Sequence, residues 1–86
     1  MNHRITVNKE VFVPEMYFKN ESPEVRGYPR RMEYEGREYT FMEGLRLLIH
    51  KGQKLVQVFD MTDGNRDYRL QFDNSERSWT LVDMTI

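Results

Sequence analysis

Four runs decide the fold: Leu55-Val56-Gln57-Val58-Phe59, then Asp63-Gly64, then Tyr68-Arg69-Leu70-Gln71-Phe72, then Trp79-Thr80-Leu81-Val82. Apolar, β-branched and aromatic side chains dominate each longer run, and Tyr68, Leu70 and Phe72 alternate with Arg69 and Gln71. That period of two marks a strand with one buried face. Asp63-Gly64 is a tight-turn signal, and residues 73–78 are polar and turn-forming. Three consecutive strands joined by short turns make an antiparallel meander.

Working back along the chain, Arg31–Tyr34 and Arg37–Phe41 flank Glu35-Gly36, the pattern of a hairpin whose glycine supplies a positive φ. Near the start, Ile5 and Val7 alternate with Thr6 and Asn8, and Val11 and Val13 continue the strand until Pro14, which cannot donate to a ladder. Residues 14–30 hold Pro14, Pro23, Gly27 and Pro29 and read as a long proline-rich loop. Residues 41–52 fit two patterns. Phe41, Leu45, Leu48 and Ile49 have helical spacing, with Thr40 and Glu43 as a capping box. Leu45, Leu47 and Ile49 also alternate as a strand would, and Gly44 weakens a helix by roughly 1 kcal/mol relative to alanine. The expectation is a mainly β, small single domain over 1–86, an antiparallel sheet of about five or six strands, with a short helix at 41–51 as the open alternative. Its expected core is Val7, Val11, Tyr39, Phe41, Leu45, Val56, Val58, Tyr68, Leu70, Phe72, Trp79 and Leu81.

Gly36-Arg37-Glu38-Tyr39-Thr40-Phe41, Val58-Phe59-Asp60 with Thr62-Asp63-Gly64, Asp67-Tyr68-Arg69-Leu70 with Phe72-Asp73, and Trp79-Thr80-Leu81 form a series. Over residues 30–84 this series resembles small uncharacterised bacterial proteins that end in a β-meander with a tryptophan in the last strand. The resemblance implies extended structure at 41–52. It assigns no functional residue.

Composition narrows the function classes. With 86 residues there is core for one domain and little to spare for a deep pocket. No apolar run approaches the roughly 20 residues of a membrane span. The chain lacks cysteine, and Met1–Thr6 does not resemble a signal peptide, so a cytoplasmic location is expected. The net charge of −1 argues against a general nucleic-acid binder. Charge is uneven, however. Residues 26–54 carry seven basic against four acidic side chains, and residues 55–86 three against six.

No catalytic constellation stands out. His3 and His50 lie at a terminus and beside a turn, the serines lie in turn-like contexts, and no cofactor or metal is expected. Asp60, Asp63, Asn65 and Asp67 cluster, but Thr62 and Gly64 fall where an EF-hand would need ligands, and Gln71 replaces its glutamate. Turn chemistry explains these residues better. The one strip with recognition character is Arg26, Tyr28, Arg30, Arg31 and Arg37, in which basic and aromatic side chains interleave. Tyrosine and arginine are enriched at protein interfaces, and the same pair can hold single-stranded nucleic acid on phosphates and bases. The expected function is therefore a non-catalytic protein-interaction or self-associating module, pairing through an edge strand with a protein partner or a second copy. The alternative is a weak single-stranded nucleic-acid binder.

Overall fold

The computed structural model describes residues 3–86. Met1 and Asn2, the first two residues of the expected domain, lie outside the described residues. Among the described residues seven strands make up the fold: β1 (Arg4–Glu21), β2 (Glu24–Tyr34), β3 (Arg37–Thr40), β4 (Glu43–Lys51), β5 (Lys54–Thr62), β6 (Asp67–Asp73) and β7 (Ser78–Thr85). All pairings are antiparallel, in the order β3-β2-β1-β7-β6-β5-β4, and the sheet curls into a half-barrel. Among the described residues no helix is long and apolar enough to cross a membrane.

Two segments bend the sheet. The first half of β1 pairs with β7, from Arg4↔Thr85 to Val11↔Trp79. Its second half pairs with β2, from Phe12↔Glu33 to Glu21↔Glu24. The change of partner coincides with register shifts between Phe12 and Glu15 and between Glu15 and Met16. Bulges of this kind bend a strand and let it pass from one sheet to another. The second segment is Phe41-Met42. The Phe41 N–H donates to the Arg30 carbonyl at 2.8 Å, and the next N–H, of Met42, donates to the Thr62 carbonyl at 2.8 Å. The chain thereby passes from β2 on one side of the half-barrel to β5 on the other.

Three expectations are corrected by this arrangement. Residues 14–30 are not a loop: β1 runs through Pro14, and only Ser22-Pro23 turns before β2. Pro14 is tolerated because it sits inside the register shift, where the ladder is already interrupted. Residues 41–51 contain no helix, since β4 pairs with β5 from Glu43↔Thr62 to Lys51↔Lys54. The strands among the described residues number seven, because residues 43–51 form a strand of their own, while the expected loop lengthens β1 and β2. The hairpin at Glu35-Gly36 forms as expected. Both residues have positive φ, 51° and 75°, the mark of a type I′ turn.

The concave side holds the core. Val11, Phe41, Tyr68, Leu70 and Leu81 are buried there as expected, and Val7, Tyr39, Phe72 and Trp79 pack against them half-buried; Val56 and Val58 are buried too, on the opposite face of β5 from Phe59 and Met61. Tyr28, Met32, Phe59, Met61 and Met84 are buried too. Leu45 is the one expected core residue on the surface, 69% exposed. A chain of rings ties the two sides of the half-barrel together. Tyr17 stacks on Tyr28 (5.5 Å between centroids), Tyr28 meets the edge of Phe59 (5.8 Å), Phe59 packs on Trp79 (5.3 Å) and Trp79 on Phe72 (4.9 Å).

Candidate functional site

An open sheet has free edges, and unpaired N–H and C=O groups along an edge are a template for another strand. Among the described residues the free edges differ sharply. The first half of β1 is unpaired on the side away from β7, but its register shift between Thr6 and Lys9, with Lys9 and Glu10, interrupts it, and residues 24–29 of β2, unpaired on the side away from β1, carry Glu24, Arg26 and Pro29. β3 has four residues, with Arg37 and Glu38 among them, and so offers little length. The second half of β1 is unpaired on the side away from β2, but Pro14, the register shifts, Glu15 and Lys19 interrupt it. Short length, proline, bulges and charge are the usual ways of blunting an edge. β4 has no proline and no register shift, and the one charged side chain along its middle, Arg46, is held by Gln57 on the face away from Leu47. The strand is nine residues long, pairs only with β5, and ends in Glu43 and Lys51.

β4 is also apolar. Leu45, Leu47, Leu48 and Ile49 are 69, 48, 51 and 39% exposed. Alternation places Leu45, Leu47 and Ile49 on one face with Glu43 and Lys51. Their neighbours on β5 extend the patch inward, since Leu47 is opposite Val58 and Ile49 opposite Val56, both buried. Four large apolar residues among the five positions 45–49, on a strand unpaired along one side, depart from the usual scatter of single surface apolar residues.

Local sequence fixes where this strand lies. Gly44 allows β4 to close on β5, because a Cβ there would run into the Met61 sulfur and the Asp60 carbonyl oxygen. Gly52 reverses the chain at the other end with φ at 63°. On the opposite face Arg46 Nε donates to Gln57 Oε1 at 2.9 Å, and Gln57 Nε2 donates to Asn74 Oδ1 at 3.3 Å. Among the described residues Glu43 has no ion-pair partner, and Lys51 Nζ donates only to Gln71 Oε1, at 3.2 Å.

The arginine and tyrosine strip does not assemble as a continuous exposed surface. Tyr28 is 3% exposed, and its hydroxyl donates to the Glu21 carboxylate. Burial first, and then that bond, push its phenol above the ordinary tyrosine range. Arg30 lies over the Tyr17 ring, 4.3 Å from its centroid. Arg31 reaches Glu15 at 2.8 Å and Glu38 at 3.4 Å, and Arg26 reaches Glu24 at 3.2 Å. Arg37 is exposed at the turn and has no ion-pair partner among the described residues. Among the described residues the strip thus presents one cation without a partner, Arg37, and its tyrosine is turned into the core.

The remaining polar clusters are occupied by their own chain. Asp63 Oδ1 accepts from the N–H groups of Asn65 (2.9 Å) and Arg66 (2.7 Å), and Oδ2 accepts from the Tyr68 hydroxyl (2.8 Å). Burial raises the Asp63 carboxyl, but these hydrogen bonds outweigh it and leave the group below the usual carboxylate range. Burial first, and then the same bond, push the Tyr68 phenol far up. Asp60 pairs with Arg69 through two contacts, at 2.7 and 3.1 Å. Among the described residues no three metal-ligating side chains come together. One apolar hollow of about 300 Å³ opens beside the ring chain, lined by Met16, Gly27, Gln57, Phe59, Phe72 and Trp79. It is small for a ligand site.

Sequence reasoning missed β4 as a site because Leu45 was assigned inward. The signal was present: Leu47 and Leu48 are adjacent, so in a strand they point to opposite faces, and a strand at a sheet edge cannot bury both. Compared with known protein families, curated proteins and solved structures, the chain matches none.

Proposed function

We propose that this chain is a non-catalytic protein-interaction module that binds another polypeptide by strand addition to β4. The carrying observation is the long, unpaired, apolar edge at Glu43–Lys51 on a sheet whose other edges are blunted. Strand addition draws affinity from main-chain hydrogen bonds and specificity from alternate side chains. β4 supplies both, with Leu45, Leu47 and Ile49 as the apolar contact row. The absence of cysteine favours a reducing, cytoplasmic setting for this role.

A displayed library of random nonapeptides, selected on the immobilised protein, tests the proposal. Enriched peptides should alternate apolar and polar residues. They should lose binding to a Leu47→Lys variant, because one lysine blunts an edge strand, and should bind almost equally at low and high salt. Peptides that bind the Leu47→Lys variant as well as the parent would sink it. If single-stranded oligonucleotides bound instead, with affinity falling steeply as salt rises, the arginine strip would be the better site.

A further inference from the structure

Resting on that role for β4, we infer that its partner is a second copy of this chain, joined antiparallel across a twofold axis at Leu47. An antiparallel pair of identical strands needs an axis normal to the sheet, and such an axis brings like faces together. Only three registers then centre on the middle of β4. Centring on Arg46 sets two guanidinium groups directly opposite each other, and like charges opposed across a ladder are destabilising. Centring on Leu48 sets Arg46 opposite His50 and Lys51 opposite Leu45, which leaves no opposite charges paired.

Centring on Leu47 pairs both charged ends and the apolar row, with Arg46 opposite Leu48 and Gly44 opposite His50 on the other face. Glu43 falls opposite Lys51 at both ends, Leu45 opposite Ile49 on both sides, and Leu47 opposite itself. Glu43 has no ion-pair partner among the described residues, and Lys51 holds only an exposed bond to Gln71 at 3.2 Å, so both are available. The exposed row Leu45, Leu47 and Ile49 becomes the centre of the contact with a charged pair at each rim, the usual anatomy of an interface. A twofold contact of this kind is self-complementary and closed, so it ends at the dimer. Sheet pairing continues across it, with β1, β7, β6, β5 and β4 of each copy in one ladder.

The chain has no cysteine, so a single introduced thiol reports the register. In the Leu47-centred pair the two Leu47 Cα atoms lie about 4.5–5.5 Å apart, within disulfide reach. The two Leu45 Cα atoms are displaced by four positions, roughly 13 Å along the strand. Under mild oxidation Leu47→Cys should give covalent dimer and Leu45→Cys should not. In sedimentation equilibrium, Glu43→Lys and Lys51→Glu should each raise the dimer dissociation constant about tenfold, because the twofold repeats each reversal. The double variant Glu43→Lys/Lys51→Glu should return to the parent value. A chain that stays monomeric to near-millimolar concentration, yet still binds the selected nonapeptides at β4, overturns the second copy and leaves strand addition standing. A dimer indifferent to both charge reversals and to Leu47→Lys also overturns the inference. If the selected peptides were equally indifferent to Leu47→Lys, the role of β4 itself would fall.

Discussion

Phe59→Leu isolates the ring chain that joins the two sides of the half-barrel. Phe59 is 2% exposed and touches rings on both sides, Tyr28 at 5.8 Å and Trp79 at 5.3 Å. Leucine keeps most of the apolar bulk and removes both ring pairs. Each aromatic pair contributes about 0.5–1.5 kcal/mol beyond the area it buries, and the change of shape adds less than about 1.5 kcal/mol. The expected cost is therefore roughly 1–4 kcal/mol. At about 4–8 °C per kcal/mol for a domain of this size, the melting temperature should fall by roughly 4–32 °C. Urea titration followed by circular dichroism measures the cost directly, with an unchanged slope showing that only stability moved. Phe12→Leu is the control, since Phe12 is 62% exposed and surface changes usually stay within about 0.5 kcal/mol. Combining Phe59→Leu with Trp79→Leu in a double-mutant cycle should return a coupling of about 0.5–1.5 kcal/mol. If Phe59→Leu cost no more than Phe12→Leu, or the coupling were zero, the rings would not be what holds the two sides together.

Asp63 should confer stability that depends on pH in one direction. Its carboxyl is held below its unfolded value of 3.8, so its contribution is present above that value and is lost as pH falls through the lower, folded one. Asp63→Ala should therefore melt earlier than the parent at neutral pH, and the gap should narrow in thermal melts taken below about pH 3; a gap that is constant with pH refutes the linkage. At Gly44 an added side chain meets the Asp60 carbonyl, which is backbone and cannot swing aside. Gly44→Val should cost about 1–3 kcal/mol and speed hydrogen exchange of the β4 amides, whereas normal protection there would show that the two strands need not approach so closely.

Much of the fold was legible in the residues. The meander from β5 to β7 follows from Val56, Val58, Tyr68, Leu70 and Leu81 and from the turn residues between them, because local alternation and local turns suffice for hairpins. The longest strand was not legible. Pro14 normally ends a strand, and only a register shift, which has no local signature, lets β1 continue through it. Residues 41–51 were ambiguous because both periods fit, and the decision came from β5 pairing along the whole of β4. The candidate site was legible only in part. That an edge strand would carry binding followed from an open sheet. Which edge it would be depended on strand order, and that order is settled by the distant pairing of β1 with β7. The arginine strip looked continuous in sequence, yet Tyr28 faces the core and Arg31 is held between Glu15 and Glu38.

That pairing of β1 with β7 has a kinetic side. Every other ladder joins strands adjacent in the chain, so β1 to β3 and β4 to β7 are two units that can form from short-range contacts alone. Only β1 with β7 brings together residues as far apart as Arg4 and Asp83, 79 positions along the chain. The entropy of closing so long a loop grows only with the logarithm of its length, at about (3/2)RT ln n, and here it is incurred once, when two preformed units meet. Local hairpins of this kind form in microseconds and non-local ladders more slowly. Until that last ladder closes, β1 and β7 expose two further unpaired edges alongside β4, so the same chain passes through a state far more open to pairing with its neighbours than the folded form.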